Sequence, residues 1–276
     1  MELQINKEDL ERAVPAAREP RGKIFNALEN YIKAELANVE NRYLGEAGVR
    51  AVEAGTDNFL VLEVKNLACL RAFLSHMRSL DLVLTSTGFG VVSTQDTAPA
   101  SKQRVDALEG ELRKSECYVV ARLLRQLFLV DGWSGSIQQQ ETVNTLFWSF
   151  TYLEQYVGIS NPKPEDWGAS IPLILDADLY LRKHIGQQYM DELLQQQTSG
   201  TLSKDNIPVA VLCRQFIGAW IAQNQRVREN LYARLINTLE ADLTKYPTYA
   251  HGEGYQLNHF KPYENHADDS AFHFVG

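Results

Sequence analysis

The sequence predicts a mainly α-helical protein: a helical bundle that carries one small β-hairpin and an extended C-terminal arm. Apolar residues recur every three or four positions through several long segments, which is the spacing of an amphipathic helix. One short segment in the first half is rich in β-branched residues around glycines, as in a hairpin. The segment 246–276 is polar and aromatic with almost no aliphatic residues, so it should not form a core of its own. We therefore expect a helical body over residues 1–245 and an arm over residues 246–276.

The predicted body begins with a short helix over Asn6–Arg18 and a strongly amphipathic helix over Arg21–Leu44. The apolar residues of the second helix are Ile24, Leu28, Ile32, Leu36, Val39 and Tyr43. Gly45 and Gly48 follow, and because glycine often stands just after a helix, we expect this helix to end there. Asn58–Val64 has two interpretations, a short strand or the start of the next helix, and Leu67–Leu82 is helical by its spacing.

A hairpin is predicted over Leu82–Ser93, with its turn at Thr87-Gly88-Phe89-Gly90. A phosphate-binding loop is the weaker interpretation, because neither a G-x-G-x-x-G pattern nor a glycine-lysine pair accompanies these glycines. An aromatic residue at a hairpin tip is exposed and suited to contact another protein. Gly88, Phe89 and Gly90 are therefore candidate partner contacts.

The rest of the body is also read as mostly helical. Ser101 is expected to cap a long helix that runs to about Val130, with Glu109 and Arg113 paired one turn apart. The segment 131–170 contains glycines and prolines and is predicted to be irregular. The later helices are predicted over Ile171–Gln197, bent near Gly186, over Ile207–Asn224, which reads as buried, and over Arg226–Lys245.

A faint internal repeat relates the two halves of the body. Val39–Gly45 and Ala177–Gly186 each contain a tyrosine-leucine pair before a glycine, and each is followed by a loop and an apolar helix. A duplication with halves of about 1–130 and 131–245 is one interpretation. Independent helical segments with similar patterns are the other.

Composition and charge restrict the class of protein. The apolar share of 45% and the charged share of 22% are those of an ordinary globular chain. The formal net charge of −8 argues against a surface built to grip nucleic-acid phosphates. The basic residues Arg113, Lys114, Arg122 and Arg125 alternate with glutamates, which is typical of a solvated face or of a face between subunits.

The cysteines and the apolar runs point to an intracellular protein without a membrane segment. Cys69, Cys117 and Cys213 stand far apart and are expected to be buried reduced thiols, as in the cytoplasm. The most apolar run, Ile207–Ala222, contains Arg214 and is too short to span a bilayer. The first residues, Met1–Gln4, lead directly into charged residues, so we expect no signal peptide and no membrane partner.

The arm is expected to dock on a neighbouring subunit or another partner, because its aromatic side chains need a surface to cover them. The candidate contacts in the arm are Tyr249, Tyr255, Phe260, Tyr263, Phe272 and Phe274. The arm also holds His251, His259, His266 and His273, at spacings wider than a helical metal pair uses. We predict no metal site and no cofactor, with a metal-dependent enzyme that uses these histidines as an alternative.

No set of catalytic residues stands out in the sequence. The stretch around Ser134 reads G-W-S-G-S, which lacks the last glycine of a G-x-S-x-G nucleophile turn. We expect His76 and His184 to lie on helix surfaces. The chain is therefore not expected to be an enzyme.

The stretch Leu82–Leu112 resembles an uncharacterised family of structural proteins from tailed phages and prophages of gut bacteria. The shared pattern is V-L-T-x-x-G-F-G-V-V-S-x5-P-A-S-x-x-R-V-x-x-L. It is matched here by Val83, Leu84, Thr85, Gly88, Phe89, Gly90, Val91, Val92, Ser93, Pro99, Ala100, Ser101, Arg104, Val105 and Leu108. Over Lys23–Leu80 and Ile171–Leu243 only the helical pattern agrees, and the arm has no counterpart.

The resemblance implies a virion structural protein, a head–tail adaptor or connector that links the portal to the tail. It implies a homo-oligomeric ring, twelve-fold like the portals of tailed phages, at the head–tail junction of the virion after assembly in the host cytoplasm. The implied partners are the portal protein, tail or neck proteins, and DNA that passes through the channel without sequence-specific binding. Another neck, tail-completion or minor capsid protein is the alternative in the same class, and the resemblance brings no catalytic residue.

Overall fold

The computed structural model describes residues 3–19, 22–55, 57–80 and 101–260, and the backbone of 82–85 and 88–91. The helices of the first half and the two strands are α1 (Lys7–Ala13), α2 (Lys23–Val39), α3 (Gly45–Ala54), α4 (Asn58–His76), β1 (Leu82–Thr85), β2 (Gly88–Val91) and α5 (Lys102–Leu127). The second half contains α6 (Ile137–Thr142), α7 (Pro164–Ile185), α8 (Gln187–Thr198), α9 (Asn206–Ile221), α10 (Gln225–Glu240), α11 (Pro247–Ala250) and α12 (Glu253–Asn258). The prediction of a mainly α-helical bundle is confirmed.

Helix α4 is the centre of the first half. The side chain of Asp57 accepts a hydrogen bond from the backbone N–H of Phe59 and caps the helix. Buried residues lie on more than one face of α4, which packs against α1, α2 and α5. Because the helix is covered on several sides, its apolar residues form a run rather than a stripe, and the interpretation of Asn58–Val64 as a strand is wrong.

Helix α9 has the same place in the second half. It is the buried apolar helix that the sequence predicts, and it packs between α7 and α10 as α4 packs between α2 and α5. Helices α7 and α8 are separated at Gly186, where φ is +105°, so the predicted bend is confirmed as a break. The two halves share this order of helices, and their duplication stays a prediction.

Gly45 ends the first helical run as the sequence predicts, because its φ of +58° and ψ of −169° lie outside the helical region, but Gly48 is not a stop. The last turn before Gly45, over Glu40–Leu44, is π-helical, and α3 begins at Gly45 as a further helix that the sequence does not predict. Gly48 is buried in α3, and a Cβ at this position would lie 2.8 Å from the Cβ of Leu44 and 3.2 Å from a methyl group of Leu127. Gly48 therefore allows close packing inside a helix. In the sequence, a glycine of this kind looks the same as a glycine that ends a helix.

The segment 131–170 is irregular in backbone, apart from α6, a π-helical turn over Leu153–Val157 and the start of α7. It is nevertheless part of the core, since Trp133, Phe147 and Leu153 are fully or almost fully buried. The Trp133 indole N–H donates to the backbone carbonyl of Tyr43 at 2.7 Å and ties the segment to the first half. Pro164 occupies the first turn of α7, where a missing N–H costs nothing, and so begins a helix rather than breaking one.

The beginning of the predicted arm belongs to the body. Tyr246 and Tyr249 are buried, with ring centroids 6.2 Å and 6.1 Å from that of Tyr189. Helix α12 lies against the C-terminal end of α7, where Asn258 Nδ2 donates to the carbonyl of His184 at 3.1 Å. The prediction of an extended arm is therefore wrong for 247–258, because aromatic side chains bury enough apolar surface to complete the core of their own chain. Residues 261–276 lie outside the described residues.

In the described part of the chain, no helix has both the length and the apolar character needed to cross a membrane.

Candidate interaction surface

Three ion pairs fix α4 and α5 in one antiparallel register. Glu63 pairs with Arg122 at 2.6 Å and Arg71 with Glu116 at 2.7 Å. At the end of α4, Arg78 Nε donates to Glu109 at 2.8 Å. As the residue number rises along α4 it falls along α5 by nearly the same amount, so the two helices run side by side in opposite directions.

The last of these ion pairs belongs to a larger group, the Arg78 cluster, at the end of the α4–α5 pair. The Arg78 cluster consists of Arg78, Asp106, Glu109 and Arg113. Arg78 also pairs with Asp106 at 2.6 Å, and Arg113 pairs with Glu109 at 2.8 Å as the sequence predicts. The hydrogen bonds from Arg113 and then Arg78 lower the pKa of the Glu109 carboxyl below its ordinary value of 4.5. The cluster therefore anchors both ends of the connection 77–101, which leaves α4 and returns to α5.

Three basic residues of α5 are engaged within the chain. Arg122 and Arg113 have the glutamate partners just named, and the Lys114 ammonium donates to the side chain of Asn161. The Arg71 guanidinium, in the same interface, donates to the Tyr43 hydroxyl at 2.9 Å. The predicted solvated face is confirmed for Arg113 and Arg122, whose side chains are 50% and 52% exposed. Arg122 also links α5 to α4 through Glu63, whereas Arg113 pairs with a glutamate of its own helix. A role of this face between subunits stays a prediction.

The connection 77–101 contains the two short strands, whose backbones pair antiparallel. Thr85 lies opposite Gly88, Leu84 opposite Phe89, and Val83 opposite Gly90. Phe89 therefore lies inside the second strand, and the expectation that it occupies the tip is wrong. Whether Gly88, Phe89 and Gly90 contact a partner stays a prediction, because their side-chain surroundings lie outside the described residues.

The aromatic residues predicted as arm contacts divide into three groups. Tyr249 is fully buried, and its hydroxyl donates to Glu240 at 3.2 Å, so it is a core residue and not a partner contact. Tyr255 is half-buried, with its ring stacked on His259 at 4.0 Å, while Phe260 is 76% exposed. Tyr263, Phe272 and Phe274 lie outside the described residues.

The described histidines and cysteines do not belong to a cluster of metal-binding side chains. Within those ranges no group of three or more His, Cys, Asp or Glu side chains gathers as a metal site would require. Among the arm histidines, His251 Nδ1 lies 2.8 Å from the carbonyl of Pro247, and His259 lies 3.6 Å from Glu240. His266 and His273 lie outside the described residues.

The three cysteines are free thiols. Burial raises the pKa of Cys69 and of Cys213 to about 12, and that of the half-buried Cys117 to about 11. The prediction of buried thiols is confirmed for the first two and is only partly right for Cys117.

Comparison with known proteins adds one finding. Residues 25–142 match the profile of a family of unknown function, DUF6712. The matched segment extends from α2 to the end of α6 and so contains the α4–α5 pair with the whole connection 77–101. No curated protein and no solved structure matches the chain. The similarity covers less than half of the 276 residues and describes the segment that carries the candidate interaction surface.

Proposed function

We propose that this chain is a virion structural protein of a tailed phage, a head–tail adaptor that assembles into a ring and links the portal to the tail. The proposal starts from the sequence resemblance over Leu82–Leu112. It places the partner-binding element in the connection 77–101. The partners are further copies of the chain, the portal protein, and the tail or neck proteins.

The observation that carries the proposal is the length and anchoring of this connection. Two antiparallel helices packed side by side need a link of about two to eight residues, whereas twenty-five residues separate His76 from Lys102. Long connections of this kind are usually either functional elements or linkers, and the resemblance over Leu82–Leu112 favours a functional element here. The Arg78 cluster fixes the start of the connection 77–101 on the α4–α5 pair. A subunit that presents a projecting element to a neighbouring layer needs such a fixed base.

Charge supports the same role. The formal net charge is −8. Two of the basic residues of α5, Arg113 and Arg122, form ion pairs with glutamates of the same chain. A ring of such subunits would surround DNA without clustered cations to bind its phosphates. DNA would then pass through the channel without sequence-specific binding.

The test compares two matched substitutions in the full-length chain, Phe89→Asp and Phe59→Asp. Phe59 is 67% exposed in the first turn of α4, at the end of the helix opposite the connection. We expect both variants to keep the unfolding midpoint of the parent chain. Only Phe89→Asp should lose assembly into rings or attachment to the portal, as measured by native mass spectrometry of the chain alone and mixed with portal.

The copy number separates the proposal from its alternative in the same class. A twelve-fold ring that binds the portal supports an adaptor, and a six-fold ring supports a tail-completion or neck protein. A chain that stays monomeric at every concentration and is absent from purified particles contradicts both.

A further inference from the structure

Helix α7 carries an exposed apolar stripe, the α7 stripe, made of Ile171, Leu175 and Leu179. These residues are four positions apart and therefore lie on one face of the helix. They are 44%, 42% and 66% exposed, and the stripe is about 12 Å long at 1.5 Å per residue. A row of three large aliphatic side chains left in water is typical of a surface that another segment covers.

A groove of about 290 Å³ runs beside the stripe. Ile171 and Leu175 form one side of it, and Trp148 and Trp167 belong to its lining. The indole N–H of Trp148 is buried, and it has no hydrogen-bond partner among the described residues. A buried donor without an acceptor costs about 1–3 kcal/mol, so an occupant that displaces the side chains covering this N–H and brings a carbonyl oxygen to it would be favoured.

The same face of α7 also presents an acceptor. Pro172 lies inside the helix and has no N–H to offer the carbonyl of Gly168, four residues earlier. Gly168 is exposed and lines a second pocket together with Trp148 and Trp167. The groove therefore combines an unpaired donor with an apolar side, and the pocket that shares Trp148 and Trp167 with it adds a carbonyl that the helix leaves free. An extended peptide segment uses such a combination of backbone partners and apolar contacts.

The chain itself contains a segment of suitable length and chemistry. Residues 261–276, the tail, follow Phe260, and at about 3.3 Å per residue they reach roughly 53 Å when extended. They contain Tyr263, Phe272 and Phe274 as apolar anchors. They also carry positive and negative side chains, and the groove lining does so too, with Arg42 and Glu141. Leu257 and Phe260, which precede the tail, are 51% and 76% exposed.

We propose that the α7 stripe and its groove receive the tail of a neighbouring copy of this chain. The proposal rests on the ring described under the proposed function and names the contact that joins adjacent subunits. In the docked state an aromatic side chain of the tail covers Leu175 and Leu179, and a tail carbonyl accepts the hydrogen bond from the Trp148 indole. Each subunit then places its tail on one neighbour and receives the tail of the other neighbour. Every subunit makes the same contacts, so the ring can close.

Disulfide trapping tests this contact in the full-length chain. Two single variants, Leu175→Cys and Phe272→Cys, both carrying Cys117→Ala, are mixed and oxidised with copper phenanthroline. In the control, Leu129→Cys takes the place of Leu175→Cys. Leu129 is 72% exposed and belongs neither to the groove nor to the α7 stripe. We expect a cross-linked pair of chains with Leu175→Cys and none with Leu129→Cys.

A second variant keeps the proposal falsifiable if the cysteine placement disturbs the fold. Trp148→Phe retains a large ring and removes the N–H, so the dissociation constant between copies should rise about fivefold. A third variant carries Leu175→Cys and Phe272→Cys in the same chain. If the cross-link forms only within single, monomeric copies of this variant, docking between copies is overturned. A ring without any Leu175–Phe272 cross-link overturns the groove as its contact and leaves the proposed adaptor role standing.

Discussion

Replacing Tyr249 by alanine removes a side chain that links the C-terminal helices to the core. The Tyr249 ring is fully buried between Tyr189 and Tyr255, with centroids 6.1 Å and 5.7 Å away, and its hydroxyl donates to Glu240. Truncation of a buried aromatic side chain to alanine costs about 3–5 kcal/mol, since a cavity remains. This is a large part of the roughly 5–15 kcal/mol by which a typical domain is stable.

The assay is urea and thermal unfolding of the full-length chain. At about 2–4 °C per kcal/mol for a chain of this size, Tyr249→Ala should lower the unfolding midpoint by about 6 to 20 °C. Tyr249→Phe loses the hydrogen bond to Glu240 but keeps the ring, so it should cost about 1 kcal/mol.

Phe260→Ala is the matched control, because that ring is exposed and its removal should change stability by no more than about 0.5 kcal/mol. If Tyr249→Ala unfolds at the same midpoint as Phe260→Ala, the tyrosine is not a core residue. The expectation of an arm that starts at residue 246 would then be restored.

Three further predictions concern α12, the thiols and the Arg78 cluster. Gly254→Ala should detach α12 and speed amide exchange in it, because a Cβ there would lie 2.2 Å from the carbonyl carbon of Ile185; Gly110→Ala, with open space around its Cβ, should stabilise α5 by about 0.5–1 kcal/mol instead. Equal amide exchange of α12 in both variants would contradict the packing of α12 on α7. Cys69 and Cys213 should not react with a thiol reagent at neutral pH until the chain unfolds, because burial holds the pKa of each at about 12; rapid labelling of the native chain would show that they are accessible. Glu109 should titrate below 4.5 in a carbon-detected NMR experiment, so its contribution to stability is present at neutral pH and is lost as the pH falls through this lowered pKa; a pKa at or above 4.5 would contradict the ion pairs with Arg113 and Arg78.

The long helices could be predicted from the sequence because their signals are local. The apolar run of α9 and the break at Gly186 each follow from a few adjacent residues. The same local reasoning misled at Gly48 and Pro164. Gly48 lies inside α3, where it allows close packing, and Pro164 occupies the first turn of α7, although both residue types serve as breakers elsewhere.

The candidate interaction surface depends on contacts that no local pattern reveals. Glu63 and Arg122, or Arg78 and Glu109, are far apart in sequence, and each reads alone as an ordinary surface charge. The lack of aliphatic residues predicts an arm that includes Tyr246 and Tyr249, yet both pack on Tyr189 of α8. Aromatic burial against a distant helix has no periodic signal in a short segment, which is why only the three-dimensional structure revealed it.

The most direct test of the proposed role is an electron cryomicroscopy reconstruction of particles that contain this chain. We predict a ring between the portal and the tail into which the α4–α5 pair fits, with the connection 77–101 in contact with the portal or the next ring. Particles that lack the chain, or copies found only in the capsid shell, would contradict the proposed role.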